Sequence, residues 1–162
     1  MHNITERDAQ VGLSQAWHGL TDVVETIDVK DNVLTKWDVE RKPLTYVDVD
    51  GNEQETGYGI LVGSDDDKII GRPMTPSYKA ISNEKFLDLV SDAMAKLPKA
   101  KIESVGSVCN RGKVFVTVSL DGKSNYKVGD REFNDYLNFG NAHDQTSKLW
   151  INNTNTCTVC DN

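Results

Sequence analysis

Apolar residues recur at helical spacing in one segment, residues 83–97, and at strand spacing over much of the remaining chain. Ser82 stands where an N-cap is expected, and Pro98 stands where a helix must end. The apolar residues at helical spacing are Phe86, Leu87, Leu89, Val90, Ala93, Met94 and Leu97. The pattern predicts one amphipathic helix over about residues 83–97.

Segments typical of β-strands lie on both sides of this helix, separated by Gly, Asn and Asp turn signals such as Asp50-Gly51. Before the helix they are residues 33–39, 44–49, 58–62 and 68–70. After it they are residues 101–108, 113–120, 132–139 and 147–159. The sequence therefore predicts an α+β fold: a largely antiparallel sheet of two meanders separated by one helix that covers a face.

A short apolar patch near the start surrounds Trp17-His18-Gly19-Leu20 and predicts a short N-terminal helix or turn that docks on the sheet. A lone histidine beside a tryptophan is more typical of a packed side chain than of a ligand. Length favours one domain over residues 1–162, because 162 residues can bury a single core.

The chain is acidic, since 18 basic and 25 acidic side chains give a formal net charge of −7. An acidic chain gains little from nonspecific attraction to phosphate backbones, so nucleic-acid binding would have to be local. The basic residues gather at Lys36/Arg41/Lys42, at Lys96/Lys99/Lys101 and at Arg111/Lys113. The sequence shows neither an N-terminal apolar signal region nor an apolar stretch long enough for a bilayer, which predicts a cytoplasmic protein.

Cysteine and histidine spacing argues against a metal centre. Cys157 and Cys160 form a Cys-x-x-Cys pair, but a structural zinc site needs four ligands. The other candidates, Cys109, His143, His18 and His2, form no second ligand pair. We expect no metal and no cofactor, with the cysteine pair in a strand.

Three stretches resemble one known family in matching order. They are Ala16-Trp17-His18-Gly19-Leu20, the run from Ile70-Gly71-Arg72-Pro73 to Tyr78, and Leu137-Asn138-Phe139-Gly140-Asn141-Ala142-His143-Asp144-Gln145-Thr146-Ser147 followed by Cys160-Asp161-Asn162. The chain is thereby similar to the phage/plasmid-like family that carries the domain of unknown function 932. The resemblance implies a bacteriophage, prophage or plasmid origin and a bacterial host cytoplasm, without a settled activity.

Two departures from that family limit what the resemblance implies. Members show Ser where this chain has Ala142 and Gly where it has Gln145, so a backbone geometry that requires glycine is not carried over. Members also continue into a helical C-terminal region, whereas this sequence stops at Asn162. We expect either a naturally short member or a chain that lacks a distal part.

The His143-Asp144 pair admits a catalytic and a structural interpretation. A metal-binding His-Asp pair needs further ligands, and this chain has three histidines in total. A Ser147/His143/Asp144 triad lacks a separate group to orient the base. We therefore predict no catalytic residue and a loop fixed by side-chain hydrogen bonds, structural or binding in role. Its residues are Asn138, Asn141, His143, Asp144, Thr146 and Ser147.

Three function classes follow. The favoured class is a non-enzymatic protein that handles single-stranded DNA in mobile-element DNA metabolism, with aromatic side chains stacking on bases and a homo-oligomeric ring supplying the groove. Its predicted contacts are Lys36, Arg41, Arg111, Lys113 and Trp150. The alternative is an acidic protein-binding antagonist of a host defence system, of anti-CRISPR or anti-restriction type. The third is a hydrolase built on His143 and Asp144.

Overall fold

The computed structural model describes residues 9–12, 22–24, 26–97, 99–120, 126–129 and 131–157. Two sheets, one α-helix and one 3-10 helix make up this part of the chain. The elements are β1 (Ala9–Gly12), β2 (Asp22–Val24), the 3-10 helix (Val33–Lys36), β3 (Val39–Val47), β4 (Glu53–Gly63), β5 (Ile69–Met74), α1 (Asn83–Met94), β6 (Lys101–Val108), β7 (Lys113–Ser119), β8 (Tyr126–Val128), β9 (Arg131–Ala142) and β10 (Trp150–Cys157). The predicted α+β class with mainly antiparallel strands is confirmed.

The larger sheet has the order β10-β9-β7-β6-β1-β2, and β8 pairs with β9 beside this path. All its pairs are antiparallel except β1 with β2. Strands β6, β7, β9 and β10 follow the post-helix segments closely. At the N-terminus the short strands β1 and β2 flank the segment for which a helix or turn was predicted. Residues 17–20 lie outside the described part of the chain.

The smaller sheet is the antiparallel meander β3-β4-β5, and it reproduces three of the four strand predictions made before the helix. Asp50-Gly51 is the expected turn, with Gly51 at a φ of +83° and its N–H donating to the Asp48 carbonyl at 3.1 Å. Both strand pairings shift register once, next to Pro43 and at Gly59.

The prediction of a strand over residues 33–39 was wrong, because most of it forms the 3-10 helix. Asn32 caps this helix from a buried position, where its Oδ1 accepts from the Leu34 N–H at 2.9 Å. Its Nδ2 donates to the carbonyls of Asp28 and Val29 at 3.0 and 2.9 Å. The Asn32 side chain hydrogen-bonds nearby backbone groups and so holds them in a turn. The turn forms although the residues that follow Asn32 are typical of strands.

Helix α1 begins as predicted, with the Ser82 hydroxyl accepting from the Lys85 N–H at 3.2 Å. It ends at Met94, three residues before the predicted limit, and Ala95 caps it. Its face packs into one core that joins both sheets and the 3-10 helix. Buried members of that core are Leu34, Trp37, Leu61, Ile70, Met74, Phe86, Leu87, Val90, Ile102, Val105, Val114, Val116, Val118 and Phe139. None of the described helices has the length and apolar character needed to cross a membrane.

Candidate functional site

The polar segment after β9 folds back on two other elements. The Asp144 N–H donates to the Gly112 carbonyl at 3.0 Å, and the Gln145 side chain donates to the Arg72 carbonyl at 2.8 Å. The Asp144 carboxylate accepts from the N–H and hydroxyl of Thr146 at 3.0 and 2.6 Å. The predicted hydrogen-bonded loop is present at Asp144 and Thr146, while Ser147 lies exposed beside them.

Gln145 takes the left-handed backbone conformation, with a φ of +63°. The family pattern has glycine here, and glycine adopts this conformation without strain. The loop therefore keeps the backbone geometry that glycine favours, and Gln145 offsets part of the strain with its bond to Arg72.

His143 is buried, with 1% of its surface exposed, and belongs to a network with Asn83 and Trp37. Its Nε2 lies 2.9 Å from the Asn83 Oδ1. Because Asn83 uses its Nδ2 to donate to the Trp37 carbonyl at 2.9 Å, its Oδ1 is the acceptor and the His143 Nε2 carries the proton. The Trp37 ring meets the imidazole edge-on, 5.9 Å between centroids at 73°. Sequence reasoning missed Asn83 and Trp37 as partners, since both lie far from His143 along the chain.

Burial lowers the pKa of His143 to about 4, although the charges of Asp38 and Asp144 act in the opposite direction. The imidazole is therefore neutral near pH 7. Its Nδ1 is buried and has no hydrogen-bond partner among the described residues. A neutral, enclosed ring of this kind is suited to packing.

His143 and Asp144 make their hydrogen bonds to different partners, so the geometry offers no support for the hydrolase interpretation. Within the described residues, no three His, Cys, Asp or Glu side chains gather where they would hold a metal ion. Cys157 ends β10 and Cys160 lies outside the described part of the chain.

Asn138 and Asn141 were predicted to belong to an irregular loop, and the structure places both in β9 instead. The Asn141 amide donates to the Ile81 carbonyl at 3.2 Å and so ties β9 to the chain before α1. The Asn138 amide accepts from the Thr117 hydroxyl at 2.8 Å and donates to the Thr154 hydroxyl at 2.7 Å. Asn138 thus links β7, β9 and β10 on one sheet face.

Arg111 was predicted to contact nucleic acid, but its guanidinium contacts other side chains of the same chain. It forms a bidentate ion pair with Asp65 at 2.7 and 3.1 Å and lies 3.6 Å from Asp66. Its Cζ also stands 4.7 Å from the centroid of the Trp37 ring. Bidentate pairing combined with a cation–π contact makes this arginine a structural link between the β6–β7 turn and the loop after β4.

Lys36 and Arg41 belong to other surfaces. Lys36 pairs with Asp31 at 2.7 Å and lines a groove of about 490 Å³ between the 3-10 helix and α1, where Asp38, Glu84 and Asp88 also lie. This mixture of charges does not favour a phosphate. Arg41 is exposed on β3, and its side chain covers Gly59.

Lys113 and Trp150 share one face of the larger sheet, which we call the outer face. On β7 the residues Val114, Val116 and Val118 are buried, so Lys113, Phe115 and Thr117 point to the opposite side. Cross-strand register aligns Phe115 with Gly140 and Gly140 with Trp150. The outer face comprises Lys113, Phe115, Thr117, Ser119, Tyr136, Asn138, Gly140, Trp150, Asn152 and Thr154.

The indole of Trp150 covers Gly140 so closely that a Cβ at that position would overlap the ring. Trp150 and Phe115 are half-buried, and Asn152 and Thr154 are exposed. Aromatic rings bordered by amides and hydroxyls suit bases, which stack on rings and hydrogen-bond through their edges. None of the outer-face residues just named is acidic, although the chain carries a net charge of −7.

Comparison with known proteins gives one match. The model of a family described as a domain of unknown function (DUF932) matches residues 74–162, which include α1, the His-Asp loop and every outer-face residue. The match begins at Met74, so the resemblance of the segment at residues 16–20 lies outside it. Neither a curated protein nor a solved structure matches the chain.

Proposed function

The chain belongs to the family of the domain of unknown function (DUF932), and from this premise we propose that it binds single-stranded DNA, without catalysis, on the outer face. The observation that carries the proposal is the row formed by Lys113, Phe115 and Trp150, whose named neighbours on the outer face include no carboxylate. The setting we propose is phage or plasmid DNA metabolism in a bacterial cytoplasm.

The chemistry of the row accounts for binding by an acidic chain. Base–aromatic stacking on Trp150 and Phe115 contributes roughly 1–3 kcal/mol per base and does not depend on net charge. Lys113 supplies one cation for a phosphate, while the exposed Asn152 amide can pair with a base edge. Since few phosphates are neutralised, affinity should fall only gently as salt rises.

The test is fluorescence anisotropy of a labelled oligothymidylate titrated with the protein at low salt. We expect Trp150→Ala to weaken binding roughly tenfold or more and Trp150→Phe to retain most of it, because the ring is what stacks. Lys113→Glu should weaken binding without disturbing the core, since Lys113 points away from it. Lys85→Glu, an exposed change on α1, is the matched control and should leave affinity unchanged.

Melting temperatures of all variants show whether a loss of binding reflects a loss of folding. A wild-type chain that ignores the oligonucleotide would refute the proposal. So would an affinity that is the same in Lys113→Glu and Lys85→Glu.

We propose as a second candidate the acidic antagonist of a host defence system, which one observation favours. The hairpin of β3 and β4 carries Asp48 and Asp50 in its turn and the exposed Glu53 and Glu55 on β4, and such a surface complements a basic nucleic-acid channel. Expression of the chain should then raise the transformation efficiency of an unmodified plasmid into a restricting or CRISPR-armed host. Equal efficiency with and without the chain would exclude this role for the systems tested.

A further inference from the structure

The hairpin of β3 and β4 extends well beyond the strand that supports it. Strand β5 pairs with β4 only from Gly59 to Val62, so residues 44–58 form a two-stranded ribbon without a third strand. We call these residues the arm. Leu44 and Asp48 are half-buried, and every other arm residue is exposed. An isolated two-stranded ribbon is marginally stable in water, so packing against another surface would stabilise the arm.

The arm has the composition of an interface and not of a loop. Exposed fractions are 54% for Tyr46, 69% for Val47, 102% for Val49 and 49% for Tyr58. Exposed tyrosines and valines close together are typical of contact surfaces. Between Thr45 and Tyr58 the sequence has four carboxylates and neither Lys nor Arg.

Hydrogen bonds to one carboxylate hold the turn at the end of the arm in a defined conformation. The Asp48 carboxylate accepts from the N–H groups of Asp50 and Asn52 at 3.0 and 2.9 Å and from the Gln54 amide at 3.0 Å. These bonds lower the pKa of Asp48, so the turn keeps its negative charge well below neutral pH. Glu53 and Glu55, two residues apart on β4, lie on the same face of the ribbon.

A complementary surface exists on the same chain where α1 leads into β6. Lys96, Lys99 and Lys101 lie within six residues of one another and are all exposed. Among the described residues, none of these three lysines forms an ion pair. We call this cluster the basic turn. Within one copy no described ion pair joins it to the arm.

We infer that the arm of one copy docks on the basic turn of a second copy. The contact joins two different surfaces, so each copy keeps one arm and one basic turn for its neighbours. Such a heterologous contact generates a closed ring or an open filament, depending on the rotation between copies. The inference concerns assembly and holds whether or not the outer face binds DNA.

Light scattering on a size-exclusion column at low salt tests the contact. We expect wild type to elute with at least twice the monomer mass and to dissociate at high salt, because exposed charges are screened. The arm variant Glu53→Lys/Glu55→Lys and the basic-turn variant Lys96→Glu/Lys101→Glu should each elute as monomers. Combining all four changes restores the opposite charges and should restore the assembly.

The matched control is Lys79→Glu/Lys85→Glu, which alters net charge by the same amount as the basic-turn variant at exposed sites elsewhere. It should assemble like wild type. A monomeric wild type would overturn the inference, and so would an assembly that survives either reversal or one that the combined variant fails to restore. A chain that stays monomeric but protects plasmids through its arm would assign the arm to a host protein instead.

Oligothymidylate anisotropy on the same samples separates the two proposals. If assembly fails while binding persists in Lys85→Glu and falls in Lys113→Glu, only the arm inference is lost. If binding fails while the charge swap works, only the DNA-binding proposal is lost.

Discussion

His143 is the residue at which burial acts most directly on stability. Its pKa is about 4 in the folded chain and 6.5 in the exposed state, because burial disfavours the charged ring. The unfolded chain therefore takes up a proton at a higher pH than the folded chain does. The stability gained by keeping His143 neutral is complete above pH 6.5 and is lost as the pH falls towards 4.

We expect the free energy of unfolding to fall by about 3 kcal/mol between pH 7 and pH 4 through this residue. Denaturant titrations across that range measure it. His143→Gln has no proton to gain and should show a much flatter profile over the same range. Asp31, Asp48 and Asp66, whose pKa values are lowered by hydrogen bonds, act mainly below pH 4. A wild-type profile as flat as that of His143→Gln would contradict the enclosed ring.

At this scale the sequence predicted the polar loop but not its partners. Asp144 and Thr146 bond within two residues, so local spacing is enough to foresee them. Arg111 pairs with Asp65, 46 positions away, and no local pattern reveals such a pair. The sequence therefore could not show that the Arg111 guanidinium, predicted as a DNA contact, is paired within the chain. Alternation along β7 placed Lys113 on the face away from the buried valines, but the strand register that brings Trp150 to the same face is not visible in a local pattern.

Strand β5 packs tightly against the loop at His143 and Asp144. Gly71 has a φ of +81°, and a Cβ there would lie 2.6 Å from the Asp144 Cα and 3.0 Å from the His143 carbonyl oxygen. Gly57 has a similar φ of +76° but has nothing within 4 Å. Alanine substitutions at Gly57 and Gly71 therefore separate the cost of backbone strain from the cost of a clash with the loop at His143 and Asp144.

We expect Gly57→Ala to lower the free energy of unfolding by about 1 kcal/mol or less, since strain alone is added at an exposed site. Gly71→Ala adds a backbone clash to the same strain and should cost about 3 kcal/mol. Chemical denaturation of both variants measures the difference. Equal costs would show that the loop yields easily and that β5 does not hold it.

Elements were predicted best where periodicity continues over several residues. Val114, Val116 and Val118 alternate through β7, and Phe86, Leu87 and Val90 mark α1, because packing and local pattern agree there. The error at residues 33–36 has a local cause in Asn32, whose side chain holds a 3-10 turn. Pairing of β1 with β6 joins residues nearly a hundred positions apart and lies beyond any local pattern.

Across the whole molecule, the charges that sum to −7 are spread unevenly over the surface. The arm carries four carboxylates and no basic residue, none of the ten named outer-face residues is acidic, and the basic turn carries three lysines. Net charge alone argued against DNA binding, but it says nothing about where charges lie once the chain folds. The same distribution allows copies to attract one another through unlike surfaces.

Deleting the arm tests whether the arm serves assembly alone, without supporting the stability or the DNA binding of the remaining chain. None of the buried core residues belongs to residues 44–58, so the arm adds little to the stability of the body. Replacing residues 45–56 by an Asn-Gly turn should change the free energy of unfolding by about 1 kcal/mol or less, which is a shift of a few degrees in melting temperature. The shortened chain should keep its affinity for oligothymidylate per subunit and elute as a monomer. If it unfolds, the ribbon supports the body and is not a contact device; if it folds and still assembles, the copies join through another surface.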